Sequence, residues 1–386
     1  MKIAVVGETR PGERRVALVP GLVSRLIEVG LRVVVEPGAG AGAGISDDAY
    51  RDAGAEVDAG ALDGAGVVLS VQPLAAGRVR DLAPNAVTIS FLPAAQELEL
   101  VRALRDAGHT ALAMELVPRI SRAQSMDALS SQAFVAGYRA VLVAAERLAR
   151  FFPLSMTASG TIPPAKVLVL GAGVAGLQAI ATARRLGAVV RAYDVRAASA
   201  EEVRSLGAEF VELELPTLEG SGGYAREMTE ERSRLQRELL APHVADADVL
   251  ITTAAVPGRA APLLVTSEMV AAMRPGSVVV DLAAESGGNV EGAKPGEEVT
   301  IGEVSVWGGQ NVPSQLAAQA SQLYATNVVN LLLLLHSGDK SGDNSDDHSD
   351  GAIVPDFDDE VVAGACVTHA GEVRHAPTRE LLGEES

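Results

Sequence analysis

Short runs of branched apolar residues recur along the chain, spaced by stretches long enough to hold a helix. Residues 3–6, 31–35, 67–71, 87–91 and 110–114 read as strands, with a helical stretch over 22–29. Four or five apolar residues in a row, with no polar alternation, indicate strands buried on both faces, as in a parallel sheet covered by helices. The rhythm resumes at 167–170, 189–193, 210–215, 249–253 and 278–282. Strands alternating with helix-length segments predict an α/β chain with two Rossmann-like, doubly wound parallel sheets. Between the two series, Phe134, Tyr138, Val141, Ala145 and Leu148 recur at helical spacing and predict one long joining helix. Residues 314–335 return to helical periodicity, so the first domain is expected to be discontinuous, with the second inserted in it. The expected borders are 1–130, 131–310 and 311–386, the last stretch holding an acidic linker at 337–351 and a hairpin about Ala370–Gly371.

Residues 166–196 carry the most specific pattern. The strand 167–170 runs into Gly171, Gly173 and Gly176 at G-x-G-x-x-G spacing, a helix follows, and a second strand ends on Asp194. The first glycine permits the tight turn, the second lets a pyrophosphate approach the backbone, and the third lets helix and strand pack closely. The helix N-terminus offers free N–H groups to the phosphates. Asp194 suits both hydroxyls of an adenosine ribose and would repel a 2′-phosphate, which favours NAD(H) over NADP(H). A second glycine run, 38–44 (GAGAGAG), lacks the small-residue helix behind it and reads as a flexible connection.

Composition narrows the classes. With 386 residues, 48% hydrophobic and 21% charged, the chain is expected to be a globular protein of two domains. A net charge of −18 without a basic cluster argues against nucleic acid. One cysteine, Cys366, excludes an internal disulfide framework and fits a reducing cytosol. The chain opens directly on a strand, so no signal peptide is expected. The most apolar run, 328–335, is broken by Asn330 and falls short of the ~20 residues of a membrane span. Glycine and charge over 216–236 mark a long segment of the kind that closes over a cofactor.

Outside the glycine turn, Arg119, Gln124, Asp127 and Ser130 form a second constellation at the start of the long helix. A guanidinium can fork onto a carboxamide, phosphate or carboxylate, while Asp and Ser at a helix start also serve as caps. Arg15 could meet a small carboxylate or lie on the surface. None of the six histidines stands in a catalytic motif, and no metal site or acyl-transfer motif is present in the sequence. Hydride transfer between two nicotinamides needs no proton donor, only two rings held face to face with water excluded.

Together GETRPGERRVALVP, RISRAQSMDALSSQ, GAGVAGLQAIATARRLGA, GGYA, PGSVVVDLA and NVPSQLAAQAS resemble the NAD(H)-binding component of proton-translocating NAD(P) transhydrogenases. The likeness is to the alpha subunit in the form split before its membrane segment, and it leaves out the acidic stretch near 340–350. The resemblance implies Re/Si-specific hydride transfer between NADH on this chain and NADP⁺ on a partner. It implies a homodimer, cytoplasmic and peripheral on the inner face of the plasma membrane, docked on a membrane-domain subunit and an NADP(H)-binding beta subunit. By the same resemblance Arg119, Ile120, Ser121, Arg122, Ser130, Val174, Asp194, Val195, Arg196, Gly223, Gln236 and Ala255 line the NAD(H) site. Gln124 positions the dihydronicotinamide within a network of Arg119, Asp127 and Ser130, and Tyr224 closes the mobile loop. Alanine dehydrogenases share the motif order and form the alternative. They need a lysine and an arginine for the keto acid and a histidine for the proton. Arg15 is kept, but Gln72 and Pro93 stand where the lysine and histidine belong, and Glu285 replaces an aspartate.

Overall fold

The computed structural model describes residues 1–214, 230–256, 258–337 and 353–383. Its strands in chain order are β1 (Lys2–Val5), β2 (Arg32–Val35), β3 (Glu56–Val57), β4 (Val67–Leu69), β5 (Val87–Ser90) and β6 (Thr110–Ala113). Next come β7 (Ser155–Thr157), β8 (Gly160–Ile162), β9 (Lys166–Leu170), β10 (Val189–Tyr193), β11 (Glu209–Phe210) and β12 (Val249–Thr252). The series ends with β13 (Val278–Asp281), β14 (Glu298–Ile301), β15 (Val304–Gly308), β16 (Cys366–His369) and β17 (Glu372–Val373). The chain forms two compact units, one of Met1–Gln132 with Ser314–Ser386, the other of Ala133–Pro313.

In the first unit the strands run in the order β17-β16-β6-β5-β4-β1-β2-β3. Pairings from β3 to β6 are parallel, and the antiparallel β16–β17 ribbon extends the far edge. The second unit has the order β11-β10-β9-β12-β13-β15-β14, parallel except at its β14 edge. Both sheets therefore reverse direction beside their first strand, between β1 and β4 and between β9 and β12. In doubly wound sheets the crevice at that reversal is where ligands bind. The central strands are buried along their length because helices cover both faces, which is why they lack alternation.

Several expectations are revised. The joining helix, Ala128–Arg147, buries Val141, with Leu148 buried just past its end, but leaves Phe134 and Tyr138 46% and 40% exposed. Its length and hydropathy reach the membrane-spanning range, yet half of its apolar window is packed inside the protein, as in a core helix. The glycine run at 38–44 is not a loose connection. Ala41–Ala43 form a 3₁₀ turn, and a side chain at Gly42 would press on the Arg14 backbone at 2.6 Å. The glycines there permit close packing of backbone on backbone. Of the strand expected over 210–215, residue 215 lies outside the described residues, and the described part is ladder-paired at Glu209–Phe210, where β11 has a single neighbour at the sheet edge. The loop expected through residue 236 gives way to the helix Glu230–Ala245. The GGYA segment with Gly223 and Tyr224, and nearly all of the acidic linker, lie outside the described residues. Ala370 and Gly371, both left-handed at φ 47° and 86°, make the two-residue turn between β16 and β17.

Candidate functional site

The glycine turn has the form its spacing requires. Gly171 sits at φ 101°, and a Cβ on Gly176 would run into the Gly171 carbonyl oxygen. Both positions therefore demand glycine, one for its dihedral and one for the close helix–strand approach. Among the described residues nothing lies within 4 Å of where a Gly173 side chain would stand. Gly173 precedes the 12-residue helix Val174–Arg185, and among the described residues no side chain caps its N–H end, beside the half-exposed Val174. An open helix N-terminus at the reversal between β9 and β12 fits a dinucleotide pyrophosphate.

Asp194 follows the last residue of β10, and its side chain is only 7% exposed. One oxygen accepts the Ala172 N–H at 2.7 Å and the Arg196 Nη2 at 3.0 Å. The other accepts the Arg196 N–H and Nε, each at 2.9 Å. Val195 lies between them and packs at the edge of the core beneath β9 and β12. On the helix Glu230–Ala245, Gln236 is buried and donates Nε2 to the Tyr193 hydroxyl at 3.1 Å. Burial raises the Tyr193 phenol above its ordinary range, so it stays a neutral hydrogen-bonding group.

Ala255, exposed after β12, is placed by a residue that no sequence motif marks. Asn289 is fully buried; its Oδ1 accepts from Ala254 N–H at 3.0 Å, and its Nδ2 donates to the carbonyls of Ala254 and Pro262, each at 2.8 Å. Asp281 in turn accepts the backbone N–H groups of Asn289, Val290 and Ala283 and the Thr252 hydroxyl. Burial pushes the Asp281 carboxyl up, against the pull of those amides.

The second constellation belongs to the first unit. Ser121–Met126 form a 3₁₀ helix, three residues per turn, so Ala123 and Met126 share the buried face while Ser121 and Gln124 share the exposed one. Arg119 is exposed just ahead of it, next to the half-buried Ile120. Asp127 receives the Ser130 N–H at 2.8 Å and its hydroxyl at 2.6 Å, so the capping role of this pair is realised at the start of Ala128–Arg147. Arg122 forks onto Asp359 with two bonds of 2.8 Å, and Asp359 also caps the helix Glu360–Ala365. The turn is fastened from a distance. The Ser125 carbonyl accepts from Asn327 at 2.9 Å and Asn330 at 3.1 Å, and Asn327 Oδ1 accepts the Ser131 hydroxyl at 2.6 Å. These asparagines lie on the helix Ala317–Ser337, some two hundred residues away, where only their polarity amid leucines hinted at a role.

Arg15 is buried, not a surface residue. Its Nε and Nη2 bond Glu13 at 2.8 and 2.7 Å, and its Nη1 bonds Gln132 at 2.8 Å. Gln72, in the place of the expected lysine, donates to the same Glu13 at 2.8 Å. Burial would raise Glu13, but the hydrogen bonds and charge of Arg15 override it and hold the carboxyl at about 2. Arg15 is therefore matched by a full negative charge within the protein.

The chain matches two family descriptions end to end: "Alanine dehydrogenase/PNT, N-terminal domain" over residues 4–136 and "Alanine dehydrogenase/PNT, C-terminal domain" over 140–376. It is 49% identical to the first portion of the NAD(P) transhydrogenase subunit alpha of Rhodospirillum rubrum, across 97% of this chain and 98% of that one. An alanine dehydrogenase of Bacillus subtilis is 36% identical over 75% of this chain and 72% of its own length. Among solved structures, a transhydrogenase from Sinorhizobium meliloti superposes with a TM-score of 0.86 at 45% identity, covering 97% of this chain and all of that one.

Proposed function

The chain belongs to the alanine dehydrogenase/PNT family, and on that footing we propose that it is the NAD(H)-binding component of a proton-translocating NAD(P) transhydrogenase. The observation that carries the reading is the open helix terminus at the glycine turn, with an aspartate at the end of the next strand. NADH held by this chain supplies the hydride, which passes directly and reversibly to NADP⁺ on a beta subunit, while a membrane-domain subunit moves the proton.

Each residue then has a task. The turn Gly171–Gly173–Gly176 and Val174 meet the pyrophosphate; Asp194, Val195 and Arg196 meet the adenosine ribose; Gln236 and Ala255 border the bound dinucleotide. Gln124, displayed on the exposed face of its turn, orients the reduced ring toward the partner, with Arg119, Ile120, Ser121 and Arg122 around it. Asp127 is committed to Ser130, so the pair shapes the site. The amino-acid dehydrogenase alternative is disfavoured by Arg15, whose guanidinium lies on Glu13 and Gln132 where a keto acid would need it.

The protein acts as a homodimeric head on the cytoplasmic side, reaching the membrane through its partner subunits. Self-association is supported by the β7–β8 hairpin, which forms a two-stranded sheet by itself. No charged residue occurs from 151 to 165, and Phe151, Leu154 and Met156 are 56%, 55% and 77% exposed. In a chain of net charge −18 an uncharged apolar surface is where two copies meet with least repulsion. The test mixes the chain with an NADP(H)-binding partner domain and follows hydride transfer between nucleotide analogues. Transfer is expected only in the mixture. Turnover of alanine with NAD⁺ by the chain alone would overturn the reading.

A further inference from the structure

Asp194 has no hydrogen-bonding capacity left. A carboxylate offers about four acceptor positions, two on each oxygen. One oxygen is filled by Ala172 N–H and Arg196 Nη2, the other by Arg196 N–H and Nε, at distances of 2.7 to 3.0 Å. Three of the four donors come from a single residue two positions along, and its guanidinium covers both oxygens. A ribose diol can reach Asp194 only by displacing that guanidinium, with its two O–H donors taking the places of Nε and Nη2.

We infer that Asp194 and Arg196 form a cofactor-specificity lock in which Arg196 is a receptor for a ribose 2′-phosphate that Asp194 holds out of use. The inference deepens the dinucleotide reading above and rests on it. An unphosphorylated ribose exchanges two donors for two donors, so opening the pair leaves the carboxylate satisfied. A 2′-phosphate has no donor to give and would face the carboxylate charge directly. Arg196, 36% exposed and fork-shaped, is the cation just past the end of β10 suited to bind that phosphate, but its fork is already engaged. Selection against NADP(H) then has two sources in one contact: repulsion by Asp194, and withdrawal of the arginine that would otherwise reward the phosphate. The arginine within β10 does not substitute, since Arg191 is bound to Asp246 at 2.7 Å and lies three residues before Asp194.

The test measures NADH and NADPH dissociation constants by calorimetry on the whole chain for wild type, Asp194→Ser, Asp194→Asn, Arg196→Met and the double variant Asp194→Ser/Arg196→Met. Wild type is expected to prefer NADH. Asp194→Ser should bind NADPH tighter by about tenfold to a hundredfold, the range of a charge-assisted hydrogen bond to phosphate, and NADH more weakly. Asp194→Asn keeps the shape of the turn and should show the same gain should the serine variant fold poorly. Arg196→Met alone should show no gain for NADPH, and the double variant should lose the gain entirely. A double variant that binds NADPH as tightly as Asp194→Ser would overturn the lock, as would folded Asp194→Ser and Asp194→Asn proteins with no gain. Wild type that binds neither nucleotide would overturn the dinucleotide reading itself.

Discussion

The two sheets of this chain reverse at equivalent places, and comparing the crevices explains why only one suits a dinucleotide. In each, an acid after the second strand grips an amide of the turn after the first: Glu36 takes Gly7 N–H at 2.7 Å, Asp194 takes Ala172 N–H at 2.7 Å. Each acid also holds an arginine, Arg78 or Arg196. What differs is the turn. In the second unit it passes straight into a helix that no described side chain caps, with no described atom within 4 Å of a side chain at Gly173. In the first, Glu8 enters the crevice and accepts the N–H groups of Val71 and Gln72 at 2.6 and 3.1 Å, with Ser70, Gln72 and Arg78 around it. Strand order creates a crevice in both units; the side chains of the turn decide whether it is open to an anion or filled by a carboxylate of the protein itself. An acid–arginine pair at a strand end is therefore not by itself a nucleotide signature.

The comparison is tested most severely at Arg15. Glu13→Gln removes the charge opposite a guanidinium only 4% exposed, and a buried charge stripped of its partner costs about 3–5 kcal/mol. Urea unfolding should show that loss; a variant as stable as wild type would mean that Glu13 does not neutralise Arg15.

Next in size is the pH dependence set by Glu8. Burial raises its carboxyl to about 7, above the value of 4.5 it has when exposed, despite the two amides. The folded protein thus holds this proton more tightly than the unfolded chain. The resulting stability is full below pH 4.5 and is lost as pH rises through about 7, a change of about 3 kcal/mol. Glu8→Gln should flatten the stability profile between pH 5 and pH 8, as measured by denaturation midpoints across that range. Glu13, held at about 2, acts in the opposite sense, giving stability above pH 4.5 that is lost as pH falls toward 2.

Paired glycine substitutions sharpen the contrast between turns. Gly176→Ala forces a methyl against the Gly171 carbonyl and should cost about 1–3 kcal/mol and weaken NADH binding. Gly7→Ala, whose methyl would sit 3.5 Å from the Glu36 carboxylate, should shift stability by less than about 1 kcal/mol. Equal thermal shifts for the two would erase the distinction between the crevices.

The smallest effects concern the asparagine clamps, one in each unit. Asn289→Ala removes two bonds to Ala254 and one to Pro262, and Asn327→Ala removes one bond to Ser125 in the Gln124 turn and one to Ser131 on the helix after it. Each should cost about 1–2 kcal/mol, with Asn289 the larger. In the reconstituted complex, Asn327→Ala should slow hydride transfer more than it weakens NADH binding. An unchanged rate would detach Asn327 from the Gln124 turn.

What could be read along the chain was whatever a few consecutive residues determine. Most of the apolar runs became strands, the glycine spacing became the turn before Val174–Arg185, and Ala370–Gly371 became a hairpin, because dihedral preference and side-chain period act over one to a dozen residues. Tertiary structure alone decided that Arg15 is buried against Glu13 and Gln132, that Gly42 lies on the Arg14 backbone, and that Asn327 fastens the Ser125 carbonyl. Most of those contacts join residues distant in sequence, and each is selected by which polar atoms the packed sheets and helices leave needing a partner. Local pattern can say that a segment will be buried, but only the assembled fold determines which group it meets there.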